Sequence, residues 1–451
     1  MKKAIVVVLL AACLFAPLFA TGGQDRSRET GVTKIRVWSD NASEKLLRDQ
    51  QVARFNAGKG KELGIEIEYT VYGTNFGDAI DIALKAGEAP ELFRQDGKVF
   101  PDYVNAGLVV PIADLPGGQA VVDQYKGELI PNLHIWNNKV YTLPYSVTTY
   151  KFFLNKDIFN AAGITTNPKT WDDVRNYARQ ITQRGNGQYY GYILGLKSAW
   201  TITTYLLFPN GTNTGLGVFD NEKLQYNFSA HLPVVSAIMG MINDGSVFPG
   251  YENLDADEMR AQFAAGRVGM IPGASFDVGV YQDQFPVKFN MAVIDVPSFQ
   301  ASGSPYKEIV QATNLLAIST TAKKNPEKSM EVFKFFYNDE NMSEMYEQGY
   351  YIPYRSQAVN MAKKQPVAKG FAEFSNVPQK MLLLPSPDSD IALEGLVYRE
   401  VFIRLFGKGY TDTPAAVLQD LDRRYNDALR KLDAAKLNSF RAESDRVIRR
   451  N

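Results

Sequence analysis

Three short stretches carry side chains suited to holding a small, half-polar molecule. The first is Trp38-Ser39-Asp40-Asn41, which follows the run Lys34 to Val37. The second is Gln95-Asp96-Gly97-Lys98, directly after Glu91-Leu92-Phe93. The third is the loop Lys197 to Thr201, which carries Trp200. An aromatic ring offers a broad apolar face, and an Asp, Gln or Lys beside it offers hydrogen bonds to hydroxyls, stronger where the group is ionised. This pairing grips a molecule that has apolar faces and polar edges.

Bond-breaking chemistry finds less support. Cleaving a glycosidic bond requires two carboxyls facing it, about 5–9.5 Å apart. The paired candidates are Asp172-Asp173, which read as part of a helix cap, and Asp388-Ser389-Asp390, in a loop after Pro387. His134 and His231 stand alone, without metal-ligand spacing, and read as structural. The loop Gly211 to Gly217 lacks the Lys-Ser/Thr of a phosphate-binding loop. No catalytic residue, metal or cofactor is expected.

The elements that must present these residues alternate. Lys34 to Trp38 reads as a strand, and Ser43 as the cap of a helix to about Asn56. Ile65 to Tyr72 alternates at period two, a half-buried strand. Asn75 reads as the cap of a helix in which Phe76, Ile80 and Leu84 recur every fourth residue, ending near Gly87. Strand-helix alternation predicts doubly wound, mostly parallel sheets, with ligands beyond the carboxyl ends of the strands. Trp38 to Asn41 and Gln95 to Lys98 both occupy such ends.

From Lys139 the pattern restarts. Asn137-Asn138 reads as a hairpin turn, and Pro144 interrupts regular pairing. Thr148 to Leu154, TTYKFFL, reads as one buried strand, and Lys156 to Ala162 as a short helix ending at Gly163. Thr170 and Asp173 form a capping box for the next helix. Gln188 to Leu196 reads as a strand, Leu232 to Asp244 as a helix, and Met259 to Phe263 as the end of another. Ile294 to Pro297 and Asn314 to Ile318 read as returning crossover strands. A helix starts at Asn325-Pro326, and a long amphipathic one follows Thr413-Pro414. The charged tail after Lys436 is expected to be loosely held.

At 451 residues the chain exceeds one compact core and predicts two lobes. With 49 basic and 49 acidic side chains and no basic run, the footprint of a nucleic-acid binder is missing. Lys2-Lys3, the apolar run Ala4 to Ala16, Pro17 and Leu18-Phe19-Ala20 read as a signal peptide over residues 1–20, too short to span a membrane. The competing reading is Leu10-Ala11-Ala12-Cys13 as a lipoprotein box, which would lipid-anchor the chain through Cys13. Either way it is exported to the periplasm or the cell exterior. Cys13 is the only cysteine, so the mature fold has no disulfide. Residues 21–32 read as a flexible tether.

The order Lys139-x-Tyr141-x-Leu143-Pro144-Tyr145, a strand, Asn155-Lys156-Asp157, Ala162-Gly163 and Pro168-x-Thr170-Trp171-Asp172-Asp173 resembles the extracellular solute-binding proteins that feed ABC sugar importers. The maltose-binding-protein-like group is the part of that family it is most similar to. The stretch Phe263 to Phe276 is similar to the family's F-x-x-G-K-x-A-M-x-x-x-G-x-W element, with Phe276 for the tryptophan and Gly269 for the alanine. The resemblance implies a two-lobe α/β periplasmic-binding-protein fold of type II, with a ligand cleft between the lobes. The lobes would be residues 33–145 with 305–350, and 146–304 with 351–451. It implies a carbohydrate ligand, an ABC permease as partner and a monomer. It adds Thr148, Phe276, Tyr350 and Tyr351 to Trp38, Asp40, Gln95, Asp96, Lys98 and Trp200 as cleft contacts. An exported glycoside hydrolase, or the same fold holding a sugar phosphate or polyamine, are the competing readings.

Overall fold

The computed structural model describes residues 31–95, 99–313, 315–377 and 380–442. The signal peptide, most of the tether, Cys13, Asp96 and Lys98 lie outside these described residues.

The chain first builds β1 (Thr33–Ser39), β2 (Ile65–Val71) and β3 (Leu92–Arg94), with β1 parallel to both others. The helix after β1 runs Lys45–Ala57, behind a short turn that places Glu44, not Ser43, at its cap position. Asn75 stands at the cap position of Phe76–Ala86, but its side chain accepts no capping bond. Gly87 closes that helix in the left-handed conformation that glycine tolerates. The hairpin of β4 (Ile135–Trp136) and β5 (Lys139–Val140) turns on Asn137 and Asn138. Both have positive φ, 49° and 59°, as a two-residue primed turn requires.

TTYKFFL is two strands rather than one. β6 (Ser146–Thr148) and β7 (Tyr150–Asn155) are separated by Thr149, whose hydroxyl donates to the Phe374 carbonyl at 2.8 Å. The break is needed because the two halves join different sheets. Asn155 then caps Lys156–Ala161 by accepting from the amides of Asp157 and Ile158. The Thr170–Asp173 capping box forms at the start of Trp171–Gly185.

The next strand, β8 (Tyr190–Tyr192), is much shorter than Gln188 to Leu196. Beyond it the backbone bonds to a loop, with Leu196 donating to Tyr251 and Lys197 to Leu254. A small hairpin, β9 (Phe219–Asp220) and β10 (Gln225–Tyr226), precedes β11 (Val268–Ala274) and β12 (Met291–Ile294). The second sheet runs β12-β7-β11-β8 and is mixed: β7 is antiparallel to both neighbours, and only β8 and β11 are parallel. So β12 ends within this sheet, and Ile294 to Pro297 does not cross. The returning strand is β13 (Glu308–Thr313), followed by β14 (Leu316–Ile318), antiparallel to β3.

β15 (Ile352–Pro353) and β16 (Lys380–Leu382) complete a third sheet in the order β15-β6-β13-β16. It lies between the other two four-stranded sheets, with β6 and β13 adjoining strands of those sheets in the chain. On one side Ile35, Val37, Leu92, Leu316, Phe333 and Met345 pack together. On the other, Phe152, Val174, Tyr192, Ile238, Phe402 and Leu418 form a separate core. The tail is packed as far as it is described: Phe440 is buried in the second core, and the Ala442 amide donates to Asn221. One apolar ring replaces the charged pattern as the determinant there.

His231 is wholly buried beside the Gly217 carbonyl, and burial lowers its pKa to about 4. The unfolded chain, with an ordinary histidine near 6.5, then binds the proton more readily between these values. Stability is expected to fall as pH drops from about 6.5 to about 4, by about 3 kcal/mol from this group, and to gain no further loss from it below. Urea denaturation across pH 4–7.5, compared with His231→Gln, checks this. An equal slope in the variant contradicts it.

Candidate functional site

A cavity of about 680 Å³ opens where the β4–β5 hairpin region faces the second core. Pro101, Asn132, Leu133 and Trp136 wall it from the first side, Trp200, Thr203, Thr204 and Phe208 from the second, and Gln311 and Ala312 of β13 form its base. An irregular run from Leu383 to Val397, with Asp388 and Asp390, and the start of the helix Tyr398–Phe406, with Arg399, close the remaining wall. Clefts of this volume suit a small ligand, with apolar walls for affinity and few polar groups for orientation.

The far rim is bridged. Asn132 Nδ2 donates to Ser439 Oγ at 3.0 Å and to its carbonyl at 3.1 Å. Lys436, from the same tail, pairs with Asp390 at 3.1 Å. Asp388 accepts from the Tyr226 hydroxyl at 2.7 Å. Gln311 accepts from Tyr150 at 2.7 Å. Two buried nitrogens in the wall, Trp136 Nε1 and Arg399 Nε, have no partner among the described residues.

Trp200 is 41% exposed and leans on Tyr205, ring centres 5.6 Å apart. The Arg260 guanidinium lies 5.8 Å from the Trp200 ring and 5.7 Å from that of Phe276. The structure therefore gathers Trp200 and Phe276 around one arginine.

The first-lobe residues form a second group. Trp38 packs against Tyr72 at 4.5 Å, at the carboxyl ends of β1 and β2. Asp40 pairs with Arg94. Burial works against the Arg94 charge, but Asp40 more than offsets it, and the pKa is raised. Gln95 donates its amide to Leu315, and its side-chain oxygen is buried with no partner among the described residues. None of Trp38, Asp40 and Gln95 lines the cavity.

The crossing strands hold the rest. Thr148 is buried and shares a hydrogen bond with the Thr313 hydroxyl at 3.2 Å, opposite the cavity residue Gln311 in register. Tyr351 is buried and accepts from Asn41 at 2.9 Å. It belongs to a polar cluster in which Arg48 donates to Tyr145 at 2.6 Å, Gln51 at 2.8 Å and Glu44 at 3.1 Å. Tyr350 donates to Asp283 at 3.0 Å, and burial followed by that carboxylate pushes its pKa up to about 12. Both tyrosines are thus placed as struts beside β15, with their hydroxyls engaged by protein.

Residues 42–343 match the family model of the bacterial extracellular solute-binding proteins, over more than half the chain. The chain belongs to that family. A binding protein of Brucella abortus is 26% identical over 49% of this chain and 53% of its own length. The sn-glycerol-3-phosphate-binding periplasmic protein UgpB of Brucella melitensis is 24% identical over 57% of this chain and 60% of its own. The chain thus spans little more than half the length of these curated relatives. The maltose/maltodextrin-binding domain MalE of Bdellovibrio bacteriovorus, solved with maltotriose, superposes with a TM-score of 0.66 at 16% identity, over 88% of this chain and 100% of that one. The fold is accordingly the two-lobe α/β type, as the sequence implied. Among the described residues no helix is long and apolar enough to cross a membrane.

Several cleft residues of this solute-binding protein carry no sequence signal. Trp136 reads as hairpin packing, and it does pack on Phe100 at 4.8 Å, yet it also walls the cavity. Asp388 and Asp390 lie in a stretch with neither helical nor strand period, and Arg399 stands in the first turn of the helix Tyr398–Phe406. Asn132 and Lys436, far apart in sequence, meet only through the tail that had been expected to be loose.

Proposed function

We propose that this protein is an extracytoplasmic substrate-binding protein. It captures a carbohydrate between its lobes and presents it to the membrane permease of an ABC importer. The observation carrying this reading is the cavity between the hairpin region and the second core, with the exposed Trp200 on one side and the largely buried Trp136 on the other. An indole face suits the apolar face of a sugar ring. The binding of maltotriose by a protein of the same fold supports the ligand class. The lobes in this reading are residues 33–145 with 305–350, and 146–304 with 351–451. Export through residues 1–20, with Cys13 as the alternative anchor, delivers a monomer to its permease.

A second reading, a phosphorylated polyol in the same cleft, is favoured by Arg399 and Lys436 in the wall and by the relative that binds sn-glycerol 3-phosphate. For hydrolysis, by contrast, Asp388 is engaged by Tyr226 and Asp390 by Lys436.

A thermal-shift panel of maltotriose, raffinose, smaller sugars, sn-glycerol 3-phosphate and spermidine separates these. A ligand at about 100 times its Kd should stabilise by about 2.7 kcal/mol. A shift with a neutral sugar supports the first reading, and one with the phosphate alone favours the second. Turnover of any stabilising glycoside would replace both with the hydrolase.

A further inference from the structure

Arg260 sits on the helix Ala256–Ala264 and is 7% exposed. Its Nε donates to Asp277 Oδ1 at 2.8 Å, and a terminal nitrogen reaches the same oxygen at 2.8 Å. That nitrogen also donates to the Tyr205 hydroxyl at 2.6 Å, and the other to Asp257 at 2.7 Å. Asp277 is in turn fixed by the Ala274 amide at 2.7 Å and by the Tyr205 hydroxyl at 2.9 Å. The guanidinium cannot rotate without breaking several of these bonds.

Three rings surround it. Trp200, Tyr205 and Phe276 have their centres 5.8, 5.9 and 5.7 Å from the guanidinium carbon, within the range of attraction between a cation and an aromatic face. Trp200 opens one segment and Phe276 ends another, 76 residues on by their numbers. No direct ring contact joins them among the described residues, so the shared arginine is what relates their positions.

We propose that Arg260 is the positioning residue for Trp200, holding this indole at a fixed place in the cleft wall, with Phe276 packed against the same guanidinium outside the cavity lining. The proposal rests on the carbohydrate reading above and deepens it. A lysine would keep the charge but not the planar fork that engages Asp277, Tyr205 and Asp257 together. Immobilising the rings beforehand lowers the ordering cost of binding, and affinity rises without a new contact to the ligand.

The test uses the full chain labelled with 5-fluorotryptophan. Its four tryptophans give four fluorine resonances, with Trp200 assigned by Trp200→Phe. Arg260→Lys is expected to shift the Trp200 resonance by more than its line width, leaving those of Trp38, Trp136 and Trp171 in place. Arg260→Met should shift it further. Should Arg260→Met fail to fold, Phe276→Leu leaves the ion pair intact and should leave Trp200 nearly unmoved, while Arg260→Lys still shifts it. A Trp200 resonance unchanged in Arg260→Lys overturns the proposal. Maltotriose and raffinose are then titrated into the same samples. A sugar that moves Trp200 in the wild type should bind about tenfold more weakly to Arg260→Lys. Equal affinity overturns the positioning role even where the sugar binds. If neither sugar moves Trp200 but Arg260→Lys does, the positioning is upheld and the carbohydrate reading alone is contradicted.

Discussion

Arg48→Met is expected to destabilise the fold by about 3–5 kcal/mol, the cost of leaving a buried charge without its partner. Arg48 is 1% exposed, between Glu44, Gln51 and Tyr145, with its guanidinium 4.9 Å from the Phe336 ring. Burial opposes its charge, but Tyr145 and Glu44 more than offset that and raise its pKa. Methionine matches the stem and removes the charge, so Glu44 is stranded in the same dry environment. Pairing the substitution with Glu44→Gln should recover much of the loss, since a buried ion pair as a whole contributes far less than either charge left alone. Urea denaturation of the two variants measures both values. A loss under about 1 kcal/mol, ordinary for an exposed site, would mean that Glu44 finds water or another cation. The consequence reaches the third sheet, because Tyr145 directly precedes β6 and Tyr351 directly precedes β15.

Trp200→Ala should weaken ligand binding by about 1–3 kcal/mol, roughly fivefold to 150-fold, on the scale of one well-buried aromatic contact. Stability should change little, because the indole is 41% exposed and packs mainly on Tyr205 and Arg260. That separation distinguishes it from Trp171, which is 2% exposed and donates to Asn210 at 2.8 Å. Isothermal titration with whichever compound stabilises the wild type gives the affinity. Thermal denaturation of the same sample gives the stability. Wild-type affinity in Trp200→Ala removes this residue from the site, and a large fall in melting temperature would make it a core residue instead.

Much of the architecture is written in local pattern. The Thr170–Asp173 capping box, the Asn137-Asn138 turn and the buried stripe Met330, Phe333 and Phe336 each follow from a short-range rule, and each is present. TTYKFFL announces burial, and every residue of β7 is buried. What it does not announce is the break at Thr149, since period and propensity are the same on both sides and only the choice of partner strands differs. Lys151 shows the same limit. It is 2% exposed and held by Asp295 at 2.6 Å and Glu308 at 2.7 Å, two residues brought from beyond β12 and from β13.

The cleft was less legible than the frame. Trp200 and Phe276 were readable as aromatic residues at the ends of elements, but Arg260 lies on a helix where its charge reads as solvated. Its burial depends on Asp277 and Tyr205, which only the tertiary fold brings near. Asp40 reads equally as a turn cap or a ligand contact, and Tyr351 as a contact or a staple of the crossover; in the structure Asp40 pairs with Arg94 and Tyr351 with Asn41. A strand-end position makes a residue available to a cleft, and whether a neighbouring protein group claims it first is decided by packing.

The account's central claim is that solute is held between the lobes and favours their closed arrangement. A ligand that touches both walls binds the closed state more tightly, and that difference shifts the population. Small-angle scattering of the full protein, alone and saturated with the compound that the thermal-shift panel identifies, tests this directly. The predicted result is a radius of gyration that falls on saturation, with the same midpoint as binding measured by titration. An unchanged radius at full occupancy would contradict closure.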